Sequence, residues 1–223
     1  MNDFGGIEMS DDTAPMLSPK LRHQLQNDSD TVLAESFSEY RESFRHLIMF
    51  RMDRRLAGRV DPDDVLQEAY LAAKGRVEHF LAGDKFSLFA WLRMIVVQTL
   101  FDVHRRHLGA EKRSAMREIK LNAAGGQYPQ TTSVSIAGQI AAAQTTPSGV
   151  AIRGEALEVL ERSIATLSEQ DQEVIAMRHF ENLSNKQVAE VLEISVTAAS
   201  NRYVRALERL RDALEKVGVG LPR

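Results

Sequence analysis

The chain contains no cysteine, and this absence excludes several kinds of chemistry. Without thiols there are no disulfides, thiolate metal sites or cysteine nucleophiles, which fits a reducing cytoplasm. Long apolar runs are also missing, because the stretch from Met94 to Val97 is far shorter than the ~18 residues that a membrane helix needs. The N-terminal residues, with Asp3 and Glu8, lack the basic-then-apolar pattern of a signal peptide. We therefore expect a cytoplasmic protein without a membrane segment.

Common catalytic motifs are missing as well. The sequence contains no G-x-x-x-x-G-K-[ST], no G-x-S-x-G and no H-E-x-x-H. His104 and His107 lie three positions apart on a predicted helix, but Arg105 and Arg106 stand between them and would repel a metal cation. We expect no enzymatic activity, no metal and no cofactor.

A large excess of either charge is absent too, since 28 Lys and Arg oppose 31 Asp and Glu. The net charge of −3 argues against a histone-like polycation, but it hides a strong pattern along the chain. The charge alternates in blocks: −6 in residues 1–40, +4 in 41–60, −4 in 61–70, +4 in 86–120, −6 in 155–195 and +2 in 196–216. Such patches are typical of a protein with several differently charged partners, although ordinary solvated helix faces would give them too.

The hydrophobic spacing is that of helices, and it predicts an all-α fold of two small helical domains joined by a flexible linker. Residues 122–149 contain no charged side chain and are rich in Ala, Gly, Gln, Thr and Ser, which marks the linker. The chain divides into an acidic, disordered tail over 1–39, an N-terminal helical domain over 40–120, the linker over 121–152 and a C-terminal helical domain over 153–218.

Capping residues predict a helix-turn-helix in the second domain. Ser184 and Gln187 form a capping-box pattern at the start of a short helix, and Ser195 caps a long helix after a three-residue turn. Polar and basic side chains at the start of the long helix are of the kind that contacts bases and phosphates in a major groove. They are Thr197, Ser200, Asn201, Arg202 and Arg205. The alternative is a helical hairpin with a solvated basic face.

Three segments carry a resemblance to a known family. They are Leu183–Ser195 with Asn201–Arg211, the acidic Asp61–Tyr70, and Phe86–Arg93. In this order they resemble the C-terminal domain, the clamp-docking helix and the promoter-opening segment of bacterial RNA polymerase sigma factors. Having two domains and no others resembles the extracytoplasmic-function (ECF) subgroup.

The resemblance implies a promoter-specificity subunit whose partners are core RNA polymerase, promoter DNA and an anti-sigma protein. It implies that an acidic set docks on the polymerase clamp: Asp63, Asp64, Gln67 and Glu68. It implies that a second set meets the −10 element during strand opening: Phe80, Lys85, Phe86, Arg93, Gln98, Arg105 and Arg106. The helix-turn-helix set named above would recognise the −35 element. Core packing is the alternative for the aromatic residues, and we favour it for Phe89 and Trp91.

The sequence departs from the family pattern at three positions. Glu193 stands in the turn where the family usually has Gly, so either a left-handed residue costs about 1 kcal/mol there or the turn is built differently. Met94 and Gln98 stand where Arg and Asn are usual, which leaves the promoter contacts of that helix open.

Two other functions fit parts of the sequence. A stand-alone helix-turn-helix regulator would explain the second domain but not the acidic Asp61–Glu68 helix. A sigma mimic that titrates an anti-sigma protein would have lost its basic surfaces, whereas residues 41–60 and 86–120 are each +4.

Overall fold

The computed structural model describes residues 17–53, 55–83, 86–108, 136–137 and 153–216, without the side chains of 108 and 153–158. Within these ranges the fold is all-α, as predicted, and the only extended pairing is an isolated bridge between Ala57 and Val60. None of the described helices combines the length and the apolar character required to cross a bilayer.

Six helices build the N-terminal domain. They are α1 (Pro19–Asn27), α2 (Ser29–Glu39), α3 (Arg41–Arg51), α4 (Pro62–Lys74), α5 (Val77–Ala82) and α6 (Leu88–Leu108). Helix α6 is central because buried apolar residues occur all around it, and it packs against both α3 and α4. The Phe89 ring stacks on Phe44 at 5.7 Å, and Trp91 stacks on Phe80 at 4.3 Å. Phe89 and Trp91 are core residues, as favoured from the sequence.

The first two helices correct the predicted tail. Helices α1 and α2 occupy residues 19–27 and 29–39 of the predicted tail, and Leu25 and Leu33 are buried in the domain core. The Arg22 guanidinium donates hydrogen bonds to the carbonyl oxygens of Leu81 at 2.6 Å and Gly83 at 3.3 Å, at the end of α5. Polar composition concealed these helices because each buries few apolar side chains. The rest of the predicted tail, residues 1–16, lies outside the described residues.

The C-terminal domain contains α7 (Arg153–Ala165), α8 (Glu169–Ile175), α9 (Asn185–Leu192) and α10 (Val196–Lys216). Helix α8 continues as a π-helical turn over Ala176–Phe180, closed by a hydrogen bond from the Glu181 amide to the Ala176 carbonyl at 2.9 Å. Such turns are frequent at functional sites. Ser168 begins α8, because its hydroxyl accepts the Asp171 amide at 3.1 Å.

Most of the predicted linker lies outside the described residues. Its described part, Ile136 and Ala137, is helical and belongs to the cluster of buried apolar residues. The weak helix that the sequence allowed over residues 139–143 falls outside the description.

The two domains pack directly against each other. Helix α3 contacts the π-helical turn, and α6 contacts α9. The Phe50 ring of α3 stacks on Phe180 with centroids 4.7 Å apart and planes within 10° of parallel. Arg93, which the resemblance assigned to the −10 element, lies at this interface and pairs with glutamates of the C-terminal domain.

Candidate functional site: a helix-turn-helix and an acidic helix

Local hydrogen bonds build the helix-turn-helix. The Ser184 hydroxyl accepts the Gln187 amide at 3.2 Å, and the Gln187 side chain accepts the Ser184 amide at 2.8 Å, which completes the predicted capping box of α9. The Ser195 hydroxyl accepts the Ala198 amide at 3.1 Å and starts α10, as predicted. The motif is therefore fixed by short-range contacts on both sides of its turn.

The turn itself uses a left-handed glutamate. Glu193 has φ 54° and ψ 42°, and the next amide, that of Ile194, bonds to the Ala189 carbonyl at 3.1 Å. Of the two alternatives left open by the sequence, the structure has the strained one. A non-glycine residue in this conformation costs about 1 kcal/mol of stability. The strained residue lies in the turn that leads into α10.

The predicted base-reading side chains share one face of α10. Thr197, Asn201 and Arg205 are exposed and lie four residues apart, so they line up on one stripe of the helix. Ser200 and Arg202 are half-buried beside this stripe. The stripe combines hydroxyl, amide and guanidinium groups, which are the donors and acceptors needed in a major groove.

The opposite face of α10 packs into the domain. Ala199, Ala206, Leu210 and Leu214 are buried, whereas Leu207 is 38% exposed. The Arg209 guanidinium pairs with the buried Asp171 carboxylate at 2.6 Å and ties α10 to α8.

A second candidate surface lies on α4. Asp61 caps this helix by accepting the Asp63 amide at 2.9 Å, so the acidic residues also occupy the positive end of the helix dipole. Asp64 and Gln67 are exposed, and Leu71, one turn further on, is 66% exposed. The sequence analysis did not single out Leu71, whose exposure only the structure shows. We call Asp64, Gln67, Glu68 and Leu71 the acidic face.

Two members of the predicted clamp-docking set already have partners within the chain. The Asp63 carboxylate pairs with Arg41 at 3.1 Å, and Glu68 pairs with Arg106 at 2.5 Å. Both pairs are substantially exposed, so they contribute little to stability and can exchange for a charged partner.

The residues predicted to meet the −10 element differ in their exposure. Arg105 is exposed and pairs with Asp102 at 2.8 Å, and Gln98 accepts a hydrogen bond from Arg76 at 2.7 Å. Phe86 is half-buried against the core, and Lys85 lies outside the described residues.

Two members of this set are buried in the free chain. Phe80 is 7% exposed and forms part of the core through its stack on Trp91. Arg93 is only 1% exposed. An arginine in a basic segment suggested a phosphate contact, but this guanidinium points into the interface between the domains.

Arg93 belongs to a cluster of four buried charges, which sequence reasoning missed. The Arg93 guanidinium lies 2.9 Å from the Glu173 carboxylate and 2.8 Å from Glu181. Arg51 of α3 lies 2.5 Å and 2.7 Å from the same two carboxylates. The two arginines come from the N-terminal domain and the two glutamates from the C-terminal domain, so the cluster is neutral only when the domains are together. The opposed charge blocks of the sequence were the available signal.

The pKa shifts agree with strong pairing in this cluster. Burial alone would raise the pKa of Glu181, but Arg93 and Arg51 outweigh it and hold that pKa below its ordinary value. Burial alone would lower the pKa of Arg51, yet the two glutamates raise it. Pairing across the interface therefore favours the charged forms of Glu181 and Arg51.

A hydrogen bond closes one edge of the same interface. The Ser87 hydroxyl, just before α6, donates to the Glu190 carboxylate of α9 at 2.8 Å. Burial raises the pKa of Glu190 above its ordinary value, against the lowering effects of Ser87 and Lys186. Burial, with Glu39 and Glu190 nearby, also raises the pKa of Tyr40 to about 12.

Among the residues that the structure describes, no group of three or more His, Asp and Glu side chains is arranged to hold a metal ion. His104 is buried and its Nε2 accepts the Asp53 amide at 3.2 Å, while His107 is exposed.

Comparison with known proteins gives four similarities. The family described as Sigma-70, region 4 matches residues 157–210, which contain the helix-turn-helix. The ECF RNA polymerase sigma-E factor of Haemophilus influenzae is 24% identical over 194 residues, covering 84% of this chain and 96% of that protein. The ECF RNA polymerase sigma factor SigW of Bacillus subtilis is 24% identical over 200 residues, covering 89% and 97%. A solved structure of CnrH in complex with the cytosolic domain of CnrY aligns with a TM-score of 0.42 at 18% identity, covering 88% of this chain and 96% of that one.

Proposed function

We infer that this chain is an extracytoplasmic-function sigma factor, which binds core RNA polymerase and directs promoter recognition, strand opening and the start of transcription. One observation carries this inference: the sigma-70 region 4 match falls on a helix-turn-helix whose polar stripe is exposed. The two curated relatives extend the likeness over most of the chain, including the N-terminal domain. A stand-alone regulator accounts for the second domain only.

For the C-terminal domain we propose duplex recognition at the −35 element. Thr197, Asn201 and Arg205 would enter the major groove, with Ser200 and Arg202 contacting the groove edge or the phosphates. Exposure and four-residue spacing support this assignment, because a helix presents such a stripe to one groove at a time.

For the N-terminal domain we propose that the acidic face docks on the polymerase. Asp64, Gln67 and Glu68 would supply electrostatic complementarity, which favours fast and specific association. Leu71 would supply the apolar contact at the centre of the surface, since one buried apolar anchor ringed by polar groups is typical of interfaces. Asp63 would help through its position at the start of α4.

For the −10 element we propose the exposed end of α6, with Arg105 and Arg106, together with Gln98. Phe86 and Lys85 complete the set as candidates near an unstacked base, where stacking and phosphate contacts offset the cost of extruding the base. Sigma factors in general are not enzymes, and we propose that this chain likewise supplies binding and no catalytic step.

The deciding experiment is run-off transcription by purified core polymerase on a genomic promoter library, with and without the chain. We expect specific transcripts only when the chain is present. Asp64→Lys should abolish them and remove core binding in a pull-down, whereas Glu78→Lys makes the same charge change on exposed α5 and should do neither.

Other outcomes identify the rival functions. Specific promoter binding by the chain alone, with no effect of core polymerase, would identify a stand-alone regulator. If the chain neither supports transcription by core polymerase nor binds DNA, it is a mimic that titrates an anti-sigma protein. An anti-sigma partner remains a prediction, to be tested by co-purification with the tagged chain.

A further inference from the structure

Val204 is an apolar residue on the outward face of α10. It is one of four exposed large apolar side chains among the residues that the structure describes, and 51% of it is open to solvent. Asn201 lies three residues before Val204 and Glu208 four residues after it, so the three side chains share one stripe of the helix. Arg205 follows Val204 directly. The valine therefore stands among the polar side chains proposed to enter the major groove.

The position of this valine has no local explanation. A β-branched side chain loses rotamer freedom in a helix, so valine is a poorer helix former than the alanines and leucines that are common in α10. A half-exposed isopropyl group also stays largely in contact with water. A single exposed apolar residue is ordinary on a protein surface, but departures from local preference are expected where function requires them. The place of Val204 between Asn201 and Arg205 points to DNA as the partner that covers it.

Thymine is the base that presents an apolar group in the major groove. Its C5 methyl group lies there, whereas the other three bases present only hydrogen-bond donors and acceptors at the corresponding edges. Contact between the isopropyl group and this methyl group removes apolar area from water on both sides. Against cytosine, valine offers no acceptor to the N4 amino group and would separate that donor from water. The chemistry of Val204 therefore favours thymine over cytosine.

We propose that Val204 is a specificity-determining residue that reads the C5 methyl group of a thymine in the −35 element. The proposal rests on the −35 function proposed for the C-terminal domain and adds the base that this part of α10 recognises. Asn201 precedes Val204 by three residues, or about 4.5 Å along the helix axis, which is close to the ~3.4 Å between successive base pairs. The thymine should therefore lie within one base pair of the position that Asn201 contacts.

Deoxyuridine isolates the proposed contact, because it is thymidine without the C5 methyl group. Holoenzyme made from core polymerase and the full chain first selects its −35 sequence from promoters randomised at that element. Each thymine of the selected element is then replaced singly by deoxyuridine, and holoenzyme binding is measured by competition. We expect one thymine whose replacement weakens binding about three- to fivefold, as the loss of one buried methyl group implies.

Val204→Ala supplies the other half of a double-mutant cycle. The shorter side chain does not reach the methyl group, so the variant should bind the thymine and deoxyuridine promoters equally at that position. Alanine is the better helix former, so the change does not weaken α10 itself. Leu207→Ala removes another exposed apolar side chain from the same helix and is the matched control. It should keep the thymine preference of the unmodified chain.

The outcomes distinguish failure of this proposal from failure of the −35 function. If a −35 sequence is selected but Val204→Ala leaves every deoxyuridine effect unchanged, the −35 function stands and the role of Val204 is refuted. A sensitive thymine more than one base pair from the position at which Asn201→Ala relaxes base preference would also overturn the proposal. Transcription without any −35 preference would refute the −35 function and the proposal together.

A pull-down with core polymerase tests the competing explanation of the exposed valine. Val204→Ala should bind core polymerase as the unmodified chain does, because the valine contacts DNA. Weaker core binding with unaltered base preference would make Val204 part of a protein interface and would refute its role in reading thymine.

Discussion

Helices α6 and α10 are each 21 residues long and each carries several arginines, yet they occupy different places in their domains. Helix α6 lies at the centre of its domain, with apolar residues around its whole circumference and Arg93 enclosed at the interface. Helix α10 covers one side of its domain and turns Thr197, Asn201 and Arg205 outward. The difference shows that the role of an arginine follows from the place of its helix in the fold.

The largest contrast concerns the two leucines Leu92 and Leu207. Leu92→Ala in α6 removes a fully buried side chain and should lower the free energy of unfolding by about 2–5 kcal/mol. Leu207→Ala in α10, where the side chain is partly solvated, should cost less than about 1 kcal/mol. Denaturant unfolding of both variants gives the comparison. Equal losses of unfolding free energy would mean that the Leu207 side chain is covered.

The next contrast concerns DNA. Arg205→Ala should weaken binding to a −35 duplex by ~1–3 kcal/mol and relax specificity at one position, because a guanidinium that reads a base is replaced. Arg211→Ala, an exposed arginine further along α10, serves as the control and should leave base preference unaltered. Binding is measured on duplexes that differ at single positions. A loss that is uniform across all duplexes would make Arg205 a phosphate contact.

A smaller effect is expected at the turn that orients α10. Glu193→Gly should raise the free energy of unfolding by about 1 kcal/mol, because glycine adopts the left-handed conformation without strain. Asn182, the other left-handed non-glycine residue in the described chain, is the control. Asn182→Gly should gain less, since asparagine tolerates this conformation better than glutamate does. Thermal unfolding of the two variants tests the order, and a loss at Glu193 would show that its side chain stabilises the turn.

The smallest effect concerns the contact between α6 and α9 and depends on pH. The folded-state pKa of Glu190 is raised, so its stabilising contribution is complete below its ordinary pKa and is lost as the pH rises through the raised value. Glu190→Gln should therefore stabilise the protein at neutral pH and make no difference in acid.

The pKa of Glu181 is lowered, so its contribution is present at neutral pH and is lost as the pH falls through that lowered value.

Unfolding curves between about pH 2 and about pH 8 check both signs. Glu181→Gln should destabilise the protein at neutral pH, opposite to Glu190→Gln. If the two variants respond alike, the two carboxylates do not occupy the different surroundings that the structure gives them.

Sequence reasoning succeeded where the signal is local. The capping box at Ser184, the cap at Ser195 and the exposed stripe of α10 depend on residues within one or two turns of each other. It failed where distant segments decide. The burial of Phe80 and Arg93 was not foreseen, because neither aromatic nor basic character tells which surface another helix will cover. Leu25 and Leu33 have mostly polar neighbours in the sequence. Only their burial in the core shows that α1 and α2 belong to the domain.

The sequence by itself determined the helices, their caps, the helix-turn-helix and the alternation of charge, since hydrogen bonds and apolar spacing within a helix are short-range. Only the tertiary structure decided which charges meet. Arg51 and Glu181 are 130 positions apart, and Arg93 and Glu173 are 80 apart. No periodicity connects such residues, because their pairing arises from the way two complete domains dock. The pairing of these charges is therefore a property of the packing of the two domains.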